Sequence, residues 1–157
     1  MTERSVNHAE FTIERSYDAP PARVFAAWAT PEAKGRWFVG PDDWESSDHD
    51  LDFRVGGREH VSSGEKGGTL HSYDALYWDI VPDERIVSTY EMYQDDVRTS
   101  VSVATIELKP DGDGTRLVYT EQGAFLDGHD TPESREQGTG GLLDTLGKEL
   151  ARQATSA

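Results

Sequence analysis

Residues 11–38 read FTIERSYDAPPARVFAAWATPEAKGRWF, and this stretch decides the predicted fold because it joins a strand to helical structure. Phe11, Ile13 and Tyr17 recur with a period of two, which is typical of a strand with one buried face. Pro21 suits the first turn of a helix, since its missing N–H is not needed there. The pattern therefore predicts a first strand that leads directly into a helix.

Two short helices are predicted after this strand. The first covers residues 21–29, where apolar residues recur at helical spacing. Pro31 starts the second, which ends near Trp37. Gly40-Pro41 breaks the helical pattern, and from Trp44 onward the signal is that of strands.

The middle of the chain consists of short alternating segments separated by turn residues at hairpin spacing. The Gly56-Gly57 pair and the Pro-Asp-Gly-Asp-Gly segment at 110–114 are typical of tight turns. Strands joined by such short turns pair antiparallel. Together with the first strand, these segments predict an antiparallel sheet of about seven strands.

The last helix begins with residues that are favoured at a helix N-terminus. Thr131 is suited to the N-cap, and Pro132 and Glu133 are suited to the first turn. Glycines at 138, 140 and 141 each weaken the helix by roughly 0.8–1 kcal/mol relative to Ala. Close packing on the sheet and room for a ligand are both open as reasons for them. The residues at helical spacing that should face the sheet are Thr139, Leu143, Leu146 and Leu150.

The predicted fold class is therefore α+β. An antiparallel sheet of about seven strands curves around a long C-terminal helix, and two short helices follow strand one. Residues 1–157 are predicted to form a single domain, with a core that runs from 10 to 152.

Four stretches, in this order, are similar to motifs of a known superfamily. They are RSYDAPPARVF at 15–25 with Trp28, TPE at 30–32 with RWF at 36–38 and Gly40-Pro41, DFRVGG at 52–57, and VPDERIV at 81–87. The chain resembles the helix-grip proteins of the SRPBCC superfamily, which includes the START and birch-pollen-allergen-like proteins. Within it, the residues resemble the branch of the activator of the ninety-kilodalton heat-shock protein's ATPase.

The resemblance implies the helix-grip fold and an internal cavity, and it covers nearly the whole chain. It does not imply one activity, because members bind lipids, aromatic polyketides or hormones, act as cyclases, or assist chaperones. Many relatives have Gly-Trp near the start of the final helix, where this chain has Gly138-Thr139. Many have a His after strand seven, where this chain has Glu121. The ligand of a known relative therefore does not transfer to this chain.

Glu121 shares a predicted strand face with Leu117 and Tyr119. If that face borders the cavity, the carboxylate must be paired, hydrogen-bonded or shifted toward its neutral form. The alternative is that the strand ends before Glu121 and leaves the side chain solvated at the rim.

Trp78 shares a face with Leu76 and Ile80, and this face is predicted to point inward. Tyr73 and Tyr77 then lie on the opposite face, unless a bulge reverses the two. The complete set of predicted ligand-binding residues is Trp37, Phe53, Leu76, Trp78, Tyr90, Leu117, Tyr119, Glu121, Thr139, Leu143 and Leu146.

Composition and charge exclude several classes of function. Thirty acidic residues against 15 basic ones give a formal charge of −15, which repels phosphate backbones, so no nucleic-acid partner is expected. No apolar run is long enough for a signal peptide or a membrane span, and a cytoplasmic location is expected. The absence of cysteine excludes disulfides and thiolate metal sites.

No metal, cofactor or catalytic residue is predicted. The five histidines lack the His-x-x-x-His spacing of a metal site, and His49 is interpreted as a surface histidine among acids. No nucleophile elbow of the Gly-x-Ser-x-Gly type is present.

The predicted function is the binding of a small apolar or aromatic molecule in an internal cavity. Two alternatives stay open. A co-chaperone-like interaction domain, or a homodimer, would expose an apolar patch. A cofactor-free cyclase or hydratase would bring two or three polar groups together in the cavity. A binding protein is favoured over an enzyme.

Overall fold

The computed structural model describes residues 4–40 and 44–155, so Pro41 lies outside the described residues. The elements are β1 (Val6–Tyr17), α1 (Pro21–Ala29), α2 (Pro31–Trp37), β2 (Glu45–Leu51), β3 (Arg58–Gly64), β4 (His71–Val81), β5 (Arg85–Gln94), β6 (Val97–Asp111), β7 (Gly114–Leu126) and α3 (Pro132–Thr155). This order confirms the predicted sequence of elements.

All seven strands form one antiparallel sheet in the order β1-β7-β6-β5-β4-β3-β2. The sheet is a meander in which β1 closes against β7, with Phe11 opposite Glu121 and Ile13 opposite Tyr119. The two short helices follow β1, and α3 packs on the sheet. The fold is therefore the helix-grip α+β fold that the sequence predicts.

The two short helices are joined by contacts between aromatic residues. Pro21 occupies the first turn of α1, and the carbonyl of Pro20 accepts hydrogen bonds from the amides of Arg23 and Val24. The indole Nε1 of Trp37 donates to the carbonyl of Ala27 at 2.9 Å, so α2 is fixed against α1. The ring of Trp37 also meets that of Trp28 edge to face at 4.6 Å.

The predicted start of α3 is confirmed, because the amide of Ser134 donates to the Thr131 hydroxyl at 3.1 Å. Leu143, Leu146 and Leu150 are buried in the core, as their spacing predicts. The Tyr17 hydroxyl donates to the carbonyl of Leu143 at 2.7 Å and therefore ties α3 to β1. In the part of the chain that the structure describes, no helix is long and apolar enough to cross a membrane.

A β-bulge in β4 breaks the regular alternation on which the predicted faces of this strand depend, so that Ile80 packs against the core together with Tyr77. Tyr77 pairs with Ser88 and Asp79 pairs with Val87, which leaves Trp78 as the extra residue. Tyr77 is buried, whereas the Trp78 side chain is 58% exposed and donates from its indole to Thr89. The prediction that Trp78 and Leu76 point into the cavity is therefore wrong.

Candidate functional site

A cavity of about 780 Å³ lies between α3, α2 and the inner face of the sheet. This volume is in the range of cavities that enclose small molecules. The helix leaves room for the cavity because Gly138 and Gly141 have no side chains, and an added Cβ at either position would meet no atom within 4 Å. Thr139 and Leu143 are among the α3 residues that line the cavity. Room for a ligand fits the geometry at Gly138 and Gly141, whereas close packing fits Gly140, where an added Cβ would lie 3.1 Å from Arg15 Nη2.

The middle of the wall is aromatic. The Tyr73 ring lies between the ring of Phe38, at 5.0 Å, and the ring of Tyr90, at 4.8 Å. Trp37 packs edge to face on Phe38 at 5.6 Å and continues the wall toward α1. Near residue 40 the wall includes Trp44, whose ring stacks on that of His71 at 4.7 Å. The cavity therefore presents flat, rigid surfaces of the kind that hold apolar or aromatic molecules.

Two polar groups lie in or behind this wall. The first, which we call the Lys34 cluster, consists of Lys34, Glu59, Tyr77 and His49. Lys34 Nζ lies 2.6 Å from Glu59 Oε1, and both side chains are almost fully buried, at 2% and 0% exposure. The Tyr77 hydroxyl donates to the same oxygen at 2.7 Å, and His49 Nε2 lies 2.8 Å from Glu59 Oε2. Lys34 Nζ also lies 4.4 Å from the centre of the Phe38 ring.

The contacts of the Lys34 cluster fix its protonation. Burial alone would raise the pKa of the Glu59 carboxyl, but the Lys34 charge and the hydrogen bonds from His49, Lys34 and Tyr77 lower it to about 2. Burial and the neighbouring Glu59 charge raise the pKa of Tyr77 far above its usual value. The cluster is thus an ion pair with a protonated phenol at neutral pH.

The second polar group, which we call the Glu121 cluster, consists of Glu121, Tyr90, Tyr119, Arg135 and Asp130. The Tyr90 hydroxyl donates to the Glu121 carboxylate, 2.7 Å from each of its oxygens, and Tyr119 donates to Oε1 at 2.7 Å. Arg135 Nη1 lies 3.3 Å from Glu121 Oε2, and Nη2 lies 3.0 Å from Asp130 Oδ2. Glu121 is therefore a buried, fully hydrogen-bonded carboxylate and not a solvated residue at the rim.

The contacts of the Glu121 cluster also determine the protonation of its members. Burial and the Glu121 charge raise the pKa of Tyr90 above its usual value, so its hydroxyl stays protonated. Burial would lower the pKa of the Arg135 guanidinium, but Tyr90, Glu121 and Asp130 together raise it. Because Arg135 belongs to α3 and Glu121 to β7, the cluster fixes the first turns of α3 to the sheet.

The structure brings five of the predicted residues together in the cavity wall and places six elsewhere. The wall residues are Trp37, Tyr90, Tyr119, Thr139 and Leu143. Leu117 and Leu146 are fully buried in the core, and Glu121 lies behind Tyr90 and Tyr119. Phe53 packs on Tyr77 at 5.0 Å and on Phe25 at 5.6 Å. Leu76 and Trp78 lie on strand β4 outside the wall, for the reason given above.

Four residues of the site were not predicted from the sequence: Lys34, Glu59, Tyr73 and Arg135. Three of them are charged residues that stand in polar stretches of the sequence, namely Lys34, Glu59 and Arg135. No local pattern distinguishes them from surface residues. His49 is half-buried against Glu59, so its interpretation as a surface histidine is wrong. A signal was present for Tyr73, since it shares a strand face with Ala75 and Tyr77. Among the described residues, no cluster of three or more potential ligand side chains could hold a metal ion.

Comparison with known proteins places this fold and cavity in a family. The family model for activator of Hsp90 ATPase homolog 1-like protein matches residues 18–151. No curated protein matches the chain.

Solved structures agree with this match. A protein from Rhizobium leguminosarum is 46% identical, at a TM-score of 0.91 and with 96% of this chain and 99% of that chain covered. A protein from Rhizobium loti is 49% identical, with a TM-score of 0.86 and coverage of 92% and 99%. A protein from Chromobacterium violaceum is 27% identical, with a TM-score of 0.75 and coverage of 90% and 96%. The motifs, the helix-grip fold and the family match together show that this chain belongs to the activator of Hsp90 ATPase homolog 1-like family of the SRPBCC superfamily.

Proposed function

We propose that this protein binds a small hydrophobic or aromatic molecule in the cavity between α3 and the sheet. The observation that carries the proposal is the cavity itself, which has a volume of about 780 Å³ and an aromatic wall. A core of this size ordinarily packs without large voids, so a space of this volume needs an occupant or a reason to exist. We assign the ligand contacts to Trp37, Tyr90, Tyr119, Thr139 and Leu143.

The charged groups support binding over catalysis. Lys34 and Arg135 line the cavity, but each is paired with carboxylates in or behind the wall. A cyclase or hydratase would need such groups free to act on its substrate. We therefore assign the two clusters a structural role in shaping the cavity and name no catalytic residue.

Native mass spectrometry of the protein purified from its own source tests the proposal. We expect a retained ligand to appear as added mass that is lost when the same sample is denatured. The recombinant protein should bind the neutral dye Nile red, and Thr139→Trp, which places an indole in the cavity, should abolish that binding. Gln137→Trp, on the exposed side of α3, is the matched control and should bind the dye normally. A native mass equal to that of the chain, together with no dye binding, would refute the proposal.

A second candidate function is a co-chaperone-like interaction, and exposed apolar residues on the outer face of the sheet favour it. Trp78, Val101 and Val103 are 58%, 41% and 37% exposed. Trp78 and Val103 both adjoin Thr89, the first by a hydrogen bond and the second as its partner in the sheet. If this patch docks on a chaperone, the protein should stimulate the ATPase of the Hsp90 from its own source, and Trp78→Ser should remove the stimulation. Stimulation that survives Trp78→Ser would exclude this patch.

A further inference from the structure

The charges of the cavity wall leave no cation for an anionic ligand. Among the described residues, the lysine and arginine side chains that line the cavity are Lys34 and Arg135, and the His71 ring in the wall stacks on Trp44. Lys34 and Arg135 face three carboxylates, those of Glu59, Glu121 and Asp130, at 2.6 to 3.3 Å. The formal charge of −15 of the whole chain adds to the repulsion of an anion. A carboxylate or sulfate in the cavity would therefore lose its hydration without gaining a counter-ion.

Neutral hydroxyls in the wall are available to hydrogen-bond a ligand. Within the described ranges 4–40 and 44–155, the side-chain hydroxyls of Tyr73, Ser88 and Thr139 line the cavity without a hydrogen bond to another residue. The small hydroxyls of Ser88 and Thr139 rotate freely and can donate or accept. Tyr73 differs from them because its ring is held between Phe38 and Tyr90, so its hydroxyl has a fixed position.

The surroundings of Tyr73 also make its hydroxyl a donor. Burial, followed by the negative charges of Glu59 and Glu121 and the nearby hydroxyls of Tyr77 and Tyr90, raises the pKa of Tyr73 well above its usual value. The hydroxyl therefore keeps its proton at neutral pH. The hydroxyl therefore offers one directed hydrogen bond to an acceptor inside an otherwise apolar space.

We propose that the ligand is a neutral, largely apolar molecule whose oxygen, in a carbonyl, ether or hydroxyl group, accepts a hydrogen bond from Tyr73. This inference rests on the proposed binding function and specifies its ligand class. A ligand that covers the half-buried Tyr73 hydroxyl without accepting its hydrogen bond would leave that donor unpaired, so a ligand with a matching acceptor is favoured over a pure hydrocarbon. The paired charges discriminate against fatty acids and other anions of similar shape.

Two fluorescent dyes separate these classes. Prodan is a neutral naphthyl ketone, and 1-anilinonaphthalene-8-sulfonate is an anion of similar size. We expect the wild-type protein to bind Prodan at least tenfold more tightly than the sulfonate. Equal or tighter binding of the sulfonate would overturn the neutral-ligand class.

Tyr73→Phe tests the hydrogen bond, since it removes the hydroxyl and keeps the ring. We expect it to weaken Prodan binding by about three- to tenfold and to shift the emission of bound Prodan to shorter wavelength, because its carbonyl loses a donor. Tyr93→Phe is the matched control, since the Tyr93 hydroxyl bonds to Arg98 outside the cavity, and it should change neither quantity. Unchanged affinity and emission in Tyr73→Phe would overturn the role of Tyr73.

A competition experiment on the wild-type protein needs no variant. 2-Acetylnaphthalene carries the acceptor, whereas 2-ethylnaphthalene has the same shape and is more hydrophobic. We expect the ketone to displace Prodan several-fold more effectively than the hydrocarbon, and the reverse order would overturn the proposal. If none of these probes binds and Nile red does not bind either, the proposed function fails together with this inference. If the probes bind without regard to charge or acceptor, the binding function stands and only the ligand class fails.

Discussion

At the scale of single residues, the buried ion pair of Lys34 and Glu59 makes stability sensitive to substitution. The two side chains are buried together, with the Phe38 ring and the Tyr77 hydroxyl around them. Burying two charges costs nearly as much as their attraction returns, but removing one partner leaves the other charge buried and unmatched. The pair as a whole therefore contributes little to the free energy of unfolding. Replacing either residue alone should lower that free energy strongly.

Glu59→Gln should destabilise the protein by about 3–5 kcal/mol, because it leaves the Lys34 charge without its partner. Adding Lys34→Met should restore most of that loss, since the double variant buries no charge. Urea unfolding of the wild type and the two variants measures the difference. A double variant as unstable as Glu59→Gln alone would mean that the loss comes from packing and not from the unmatched charge.

The same carboxyl predicts how stability depends on pH. The folded pKa of Glu59 is about 2, against an ordinary value of 4.5. A lowered folded pKa contributes stability that is fully present above the unfolded value and is lost as pH falls toward the folded one. We expect the free energy of unfolding to fall by on the order of 3 kcal/mol from this group between those two pH values.

Urea unfolding at a series of pH values between neutral and strongly acid measures this loss. The groups that face Glu59 are Lys34, His49 and Tyr77. The Lys34→Met/Glu59→Gln variant should therefore lose less stability than the wild type on acidification. Equal losses in the two proteins would assign the acid sensitivity to other carboxylates.

At the scale of elements, α3 determines whether the cavity is open. Thr139 lies in the wall, and the neighbouring glycines provide no side chains to fill the space. Thr139→Trp should therefore raise the free energy of unfolding by about 1–2 kcal/mol through added apolar burial. Thermal unfolding of the ligand-free protein measures the shift, with Gln137→Trp on the exposed side of α3 as the control. If neighbours close the space instead, overpacking would cost roughly 1–3 kcal/mol and lower the melting temperature.

The elements were predictable because each is encoded by local residues. The alternation of Phe11, Ile13 and Tyr17 gives β1, and the hydroxyl of Thr131 caps α3 as its position predicts. The face of β4 was not predictable in this way, since both faces carry large apolar side chains. Tyr77 and Trp78 lie on opposite faces by ordinary alternation, but the bulge at Trp78 brings Ile80 onto the core face with Tyr77, and a bulge is a property of the pairing between strands.

The polar clusters of the site were not predictable, because their members come from separate elements. Lys34 lies on α2 and Glu59 on β3, and Arg135 on α3 meets Glu121 on β7. Glu121 was identified by its alternation with Tyr119, but its cation could not be identified without the fold. Sequence patterns therefore predict the elements and the existence of the cavity, whereas its internal charges depend on contacts between distant residues.

At the scale of the whole molecule, the net charge of −15 works against the compact state. Exposed ion pairs such as Arg15–Asp144 act in the opposite direction, but such pairs contribute only about 0–1 kcal/mol each. Raising KCl from about 0.1 M to about 1 M shortens the screening length from about 10 Å to about 3 Å. We expect the urea midpoint to rise over this range, because self-repulsion outweighs the surface pairs. A falling midpoint would show that the surface pairs dominate.

The Lys34–Glu59 pair also has a consequence for how this family changes over time. Because either single replacement leaves a buried charge unmatched, a lineage can lose the pair only through a costly intermediate or by two changes close together. Positions 34 and 59 should therefore vary jointly among descendants of a common ancestor, either as a charged pair or as two uncharged residues. Exposed partners such as Arg15 and Asp144 are free to drift one at a time.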